Sequence, residues 1–208
     1  PLAASEIERI LRTVPESLRA FAAANWPSLS RMKEFGVDVD GIVQKAEGLL
    51  DTPLPTPRFS DYRRYPEEGA RIEADRALGT VSRGVQAVAL AAVITQEERF
   101  VRELEDRIFA ACDLCSWVMV AHMGGDSLPD PKWLQPKGNA CPRGPDLHAC
   151  MFAAQLGLID VMLGDALHPH VKERLRYEID RRVLRPVSER AYWWHHGYNN
   201  WNGVCTGG

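Results

Sequence analysis

Apolar residues recur with a helical period along most of the chain. Ile7, Ile10, Leu11, Val14, Leu18 and Phe21 form one stripe behind Ser5-Glu6-Ile7-Glu8, whose spacing suits a capping box. Pro15 interrupts that stripe and predicts a kink or break near Thr13. Shorter helices are predicted over residues 27–35 and 39–50, followed by a long extended segment at 51–69, where Pro53, Pro55, Pro57 and Pro66 lie among Tyr62 and Tyr65. From Ala70 onward the pattern is almost wholly helical. Val85, Val88, Ala89, Ala92 and Val93 make one stripe, and Thr95-Gln96-Glu97-Glu98 predicts a second capping box. The helix behind it carries Phe100, Leu104, Ile108, Ala111, Cys115 and Val118. So short a link makes an antiparallel hairpin.

Residues 124–145 are rich in Pro and Gly and contain Trp133, which predicts a long loop of the kind that more often serves function than idles. Asp146 then caps a helix whose inner face is predicted as Leu147, Cys150, Met151, Ala154, Leu158, Val161 and Met162. His168-Pro169 turns the chain into a helix with Val171, Leu175, Ile179 and Val183, ending at Pro186. No alternating strand pattern and no exact repeat occurs, so the predicted class is all-α, a series of helical hairpins. The predicted organisation is an N-terminal helical segment at 1–50, a Pro-rich wrap or linker at 51–69, and a main helical body at 70–208.

Composition narrows the function classes. The 208 residues carry a net charge of −3, which argues against a general nucleic-acid binder, whose affinity for a polyanion calls for a broad basic excess. No uninterrupted apolar run reaches the roughly 20 residues that span a bilayer, and residues 1–5 lack signal-peptide character, so no membrane partner is expected. The five cysteines, Cys112, Cys115, Cys141, Cys150 and Cys205, cannot all pair within one chain. Cys112 and Cys115 have zinc-knuckle spacing but no second pair, and they read as small core residues one turn apart rather than as metal ligands. His122 and His148, at helix ends, read as structural or capping residues. Lys172 to Arg190 holds seven basic and four acidic residues, which read as a solvated face with pairs such as Glu178 and Arg182. Arg185 and Arg190 are the cations nearest the tail, where an anionic ligand would want them.

Familiar catalytic constellations are missing: there is no G-x-S-x-G, no H-E-x-x-H, no P-loop and no dinucleotide fingerprint. Asp126 and Asp130 are a weak suggestion of a glycosidase pair. The segment from Tyr192 to Gly208 stands apart, with three of the six tryptophans beside His195, His196, Tyr198, Asn199, Asn200 and Asn202. Flat rings cover the C–H faces of sugars, while amides and imidazoles satisfy hydroxyls and carboxylates, so this is carbohydrate-binding chemistry.

The order Leu163-Gly164-Asp165-Ala166-Leu167, a basic helix, Arg181-Arg182-Val183-Leu184-Arg185-Pro186, Trp193-Trp194, Asn199-Asn200-Trp201-Asn202, Val204-Cys205 and Gly207-Gly208 resembles the heparinase II/III-like polysaccharide lyases and their relatives acting on alginate. It spans roughly residues 80 to 208, and Asn-Asn-Trp-Asn is its most distinctive part. The resemblance implies an incomplete (α/α) toroid of antiparallel hairpins and cleavage of uronic-acid-containing, heparin- or heparan-like glycans by β-elimination. It gives Asn200 the catalytic role of neutralising the uronate carboxylate, with Asn199, Trp201, Asn202, Tyr198, His196 and Trp194 as substrate-binding neighbours. Alginate-type relatives have His where this chain has Trp201. The Tyr and His that move the proton would lie past Gly208, so the expected partners are an anionic polysaccharide and the remaining C-terminal part of the same lyase. No cofactor and no metal is implied. A periplasmic or secreted location follows from such a substrate, with a cytoplasmic one left open. Two other readings stand beside it: a non-catalytic carbohydrate-binding α/α module, and a glycoside hydrolase on the same toroid.

Overall fold

The computed structural model describes residues 9, 29–54, 56–123, 144–189, 191–195 and 199–207. Among these, every regular element is helical. Helices α1 (Leu29–Glu34) and α2 (Val39–Glu47) precede α3 (Phe59–Glu68), α4 (Ile72–Thr95) and α5 (Glu98–Asp113). A 3₁₀ turn (Val120–His122) precedes α6 (Leu147–Leu163). Next come α7 (Pro169–Ile179), a π-helical turn (Asp180–Leu184), α8 (Arg185–Glu189) and α9 (Asn200–Gly207). The stripe at Ser5–Phe21 and its kink at Pro15 lie outside the described residues, as does most of the predicted loop at 124–145.

Two hairpins form the body. Helices α4 and α5 pack along each other, α6 and α7 do the same, α6 lies beside α4 and α7 beside α5, and α2 and α3 cover α4. Their shared core contains Val81, Val85 and Val88 of α4, Phe100, Leu104 and Ile108 of α5, Phe152 and Leu156 of α6, and Leu175 of α7. A Cβ on Gly84 of α4 would stand 3.0 Å from the Arg107 guanidinium of α5. That buried guanidinium pairs with Glu103 at 2.6 Å and donates to the carbonyls of Leu49 and Thr52, tying the Pro-rich segment to the body.

Several sequence expectations change on contact with the structure. The extended segment is shorter than 51–69, because Phe59–Glu68 is helical. Asp61 accepts from the Arg58 amide at 2.7 Å to start that helix, and Gly69, at φ 71°, ends it. Thr95 makes no capping box: it closes α4, donating to the Ala91 carbonyl and accepting from Glu97. Helix α5 ends at Asp113, so Cys115 and Val118 fall in the irregular stretch behind it. Met151 and Leu158 are exposed, because α6 is apolar around its whole circumference and its buried face is Ala149, Phe152, Ala153, Leu156 and Ile159. Pro186 lies inside α8 rather than ending the helix. The π turn before it carries the Arg185 amide back to the Asp180 carbonyl, and this wider spacing accommodates a residue without an N–H. Ile72–Thr95 and Leu147–Ala166 are each long and apolar enough by composition to cross a membrane, and both are core helices of the two hairpins.

The basic run is solvated only in part: Arg176 and Arg185 are exposed, but the pair Glu178 and Arg182 is not. Glu178 is buried and binds three arginines: Arg174 at 3.1 Å, Arg181 at 2.6 Å and Arg182 at 2.5 Å. Arg174 and Arg182 reach across to the end of α5. Arg182 donates to the carbonyls of Cys112 (2.9 Å) and Leu114 (2.7 Å), and Arg174 donates to Cys112 (3.2 Å) and to Asp113 (2.9 Å). The Trp117 indole takes the Ala111 carbonyl at 2.9 Å, and Arg182 lies 4.9 Å from the centre of the Trp117 ring. The carbonyls that a helix C-terminus leaves unpaired are thus met by cations, as its dipole favours.

Burial alone would raise the Glu178 pKa, but the arginines outweigh it and hold the carboxyl below its ordinary value. A carboxyl depressed on folding contributes stability above its unfolded pKa of about 4.3 and loses it as pH falls through the lower folded value. Glu178→Gln should therefore cost about 3–5 kcal/mol at neutral pH, the scale for breaking a buried ion cluster, and should flatten the acid limb of a stability-versus-pH curve measured by urea denaturation.

Candidate functional site

The two hairpins put the start of α4, the end of α5, the start of α6 and the segment after α8 at one end of the molecule. Polar side chains bind that end together. Asp146 is buried; its Oδ1 accepts from the Ala149 amide at 2.8 Å, capping α6, and its Oδ2 accepts from the Met119 amide at 3.1 Å and meets His122 Nδ1 at 2.7 Å. A carboxylate can only accept, so His122 carries its proton on Nδ1. Asp75 of α4 accepts from the Val120 amide at 3.0 Å. Burial lifts Asp75 above the ordinary carboxylate value, with the Val120 amide, Arg71 and His122 pulling the other way and Asp146 adding to the rise. Two carboxylates on different helices thus hold the 3₁₀ turn, with the His122 ring partly open to solvent.

His148 is fixed as well. Its Nδ1 faces the Trp117 carbonyl at 2.9 Å and so bears the proton, and its Nε2 lies 3.4 Å from the Ser82 hydroxyl, which donates to the Gly79 carbonyl.

The tail closes on this cluster. Tyr192 stacks on the fully buried Trp194, with ring centres 5.2 Å apart and planes 11° from parallel. Gly144 lies under Tyr192 with φ +82°, and a Cβ there would come within 2.3 Å of the tyrosine ring, so both backbone and packing demand glycine. His195 Nδ1 accepts from the Tyr192 amide at 2.9 Å. Trp201, at the start of α9, lies edge-on to His122 at 4.8 Å. Further along, the buried Cys150 of α6 faces the buried Cys205 of α9, and this contact, with burial, raises the Cys150 thiol.

The paired asparagines have different surroundings. Asn199 is half-buried: its Oδ1 accepts from the Asn202 amide at 2.9 Å and its Nδ2 donates to the Trp194 carbonyl at 3.3 Å, so it caps α9 and anchors it to the tail. Asn200 follows it into the first turn and is exposed. Asn202 is half-buried, and Thr206 donates to its Oδ1 at 3.2 Å. Trp201 is half-buried, whereas Trp194 turns its rings wholly toward protein and offers no open face. His196 and Tyr198 lie outside the described residues, as do Arg190, Asp126, Asp130, Trp133 and Cys141. Arg185 is exposed and paired with Asp180. Cys112 is a buried core residue, and Cys115 donates to the Tyr62 hydroxyl at 3.3 Å.

Sequence reasoning singled out Asn199 to Asn202 and did not anticipate the Asp75, Asp146 and His122 cluster or the Cys150 and Cys205 contact. Asp146 carries a visible cap signal, yet nothing in local spacing joins it to a histidine 24 residues earlier. Compared with family models and with curated proteins, the chain matches none.

The two amides should separate cleanly in a thermal melt. Asn199→Ala removes a cap and should cost about 1 kcal/mol, read as a lowered Tm, whereas Asn200→Ala should leave Tm within error of the parent.

Proposed function

We propose that the chain is the N-terminal helical portion of a polysaccharide lyase that cleaves uronic-acid-containing glycans by β-elimination, with Asn200 neutralising the uronate carboxylate. The observation that carries this reading is the division of labour in Asn199-Asn200. One amide is spent holding the helix, and its neighbour stands exposed in the first turn at the end where the chain segments converge. Trp201 and Asn202 follow as half-buried neighbours able to line a glycan site. The side-by-side hairpins α4/α5 and α6/α7 support an incomplete (α/α) toroid, whose loops gather at its ends.

The chemistry gives the amide its value. Removing the proton at C5 of a uronate pushes charge onto the adjacent carboxylate, so a donor fixed there binds the enolate-like transition state more tightly than the ground state. In this reading the proton-moving Tyr and His belong to the remaining part of the same lyase, past Gly208. The substrate is an anionic polysaccharide, met in the periplasm or outside the cell.

In the complete gene product, Asn200→Ala should lower kcat by roughly a hundredfold, the scale for losing one oxyanion-type donor, while glycan affinity changes much less. Steady-state kinetics beside direct glycan binding make the comparison. A variant that keeps its kcat removes Asn200 from the mechanism.

A further inference from the structure

Cys150 lies four residues past the Asp146 cap of α6, and Cys205 lies four residues past Trp201 of α9. The two helices pack along each other. Trp201 meets His122, itself bonded to Asp146, at one level, and Cys205 meets Cys150 one turn further along. Both are free thiols, with 3% and 7% of their surface exposed, inside the main core. Cys112 and Cys115 lie elsewhere: burial pushes the Cys112 thiol up to about 12, and Cys115 is bonded to Tyr62.

We propose that Cys150 and Cys205 form a disulfide site, whose oxidation fastens α9 to α6 and fixes the helix that presents Asn200. The oxidant is a small-molecule disulfide such as oxidised glutathione. Cys205, carried by the helix whose opening admits the oxidant, attacks one sulfur of the oxidant as its thiolate. A new S–S bond forms, the oxidant's own S–S bond breaks, and its other half leaves as a thiol with the Cys205 proton. Cys150 then attacks the mixed disulfide at the Cys205 sulfur, releasing the second thiol, which takes the Cys150 proton. The protein thus loses two electrons and two protons, and the oxidant gains both. Burial makes the reaction wait on local opening of α9. The inference stands apart from the glycan reading, because it depends only on the packing of α6 and α9.

The test incubates the purified protein with oxidised glutathione under native conditions, blocks remaining thiols with iodoacetamide, and maps its peptides without reduction. The expected result is a linked Cys150 and Cys205 peptide pair, two hydrogens lighter than the sum of the two. A Tm higher by several degrees should accompany it, reversed by dithiothreitol and absent in Cys205→Ser. Two free or singly glutathionylated cysteines at the end of the incubation would overturn the proposal, as would Cys205 linked to Cys141. The wild-type map decides the question alone, so a poorly folding Cys205→Ser does not blunt it.

Discussion

The buried carboxylate of Glu178 is the constraint on which the arrangement depends. It gathers Arg174 from its own helix and Arg181 and Arg182 from the π turn behind it, and two of these reach over to cap the end of α5. Burying such charges costs several kcal/mol per ion, and Arg174 and Arg182 offset part of it through further acceptors: Asp113 and the carbonyls of Cys112 and Leu114. What it secures is position. By ending α5 at Asp113 it sets the path of the next ten residues, which carry Trp117, Val120 and His122 to Asp75 and Asp146. The packing of the second hairpin on the first and the layout of the polar end therefore have one source.

That source was hidden from the sequence. Glu178 and Arg182 are visible as an i,i+4 pair, but nothing local says that the pair is buried or that Arg182 bonds a carbonyl 70 residues earlier. The stripes of α4, α5 and α7 were legible because each has a polar side to contrast with the apolar one. Helix α6 lacks that contrast, and its periodicity pointed equally well to Met151 and Leu158, which are exposed, and to Phe152 and Leu156, which are core. Pro66 belongs to the predicted extended segment and Pro186 to a predicted helix end, yet both sit within helices, the second beside a π turn. In each case a tertiary contact or local backbone adjustment overrode a sound local rule.

The tail shows the same limit on a finer scale. Its amides and rings announced a binding segment, and the structure sorts them by surroundings: Asn199 into a cap, Trp194 into the core, Trp201 against His122, Asn200 into solvent. Residue types alone could not make that division, since an asparagine suits a helix cap as well as it suits a sugar. Burial and hydrogen bonding put Asn199 in a cap and leave Asn200 exposed.

The proposed chemistry is tested most directly by the product it leaves. When the complete gene product is incubated with heparan sulfate, hyaluronan and alginate in turn, β-elimination on any of them creates a C4=C5 double bond conjugated to the uronate carboxylate. The predicted result is near-ultraviolet absorbance rising in step with new reducing ends on at least one of these glycans. New reducing ends without that absorbance would mean hydrolysis, and glycan binding with neither signal would mean a binding module; each contradicts the lyase account.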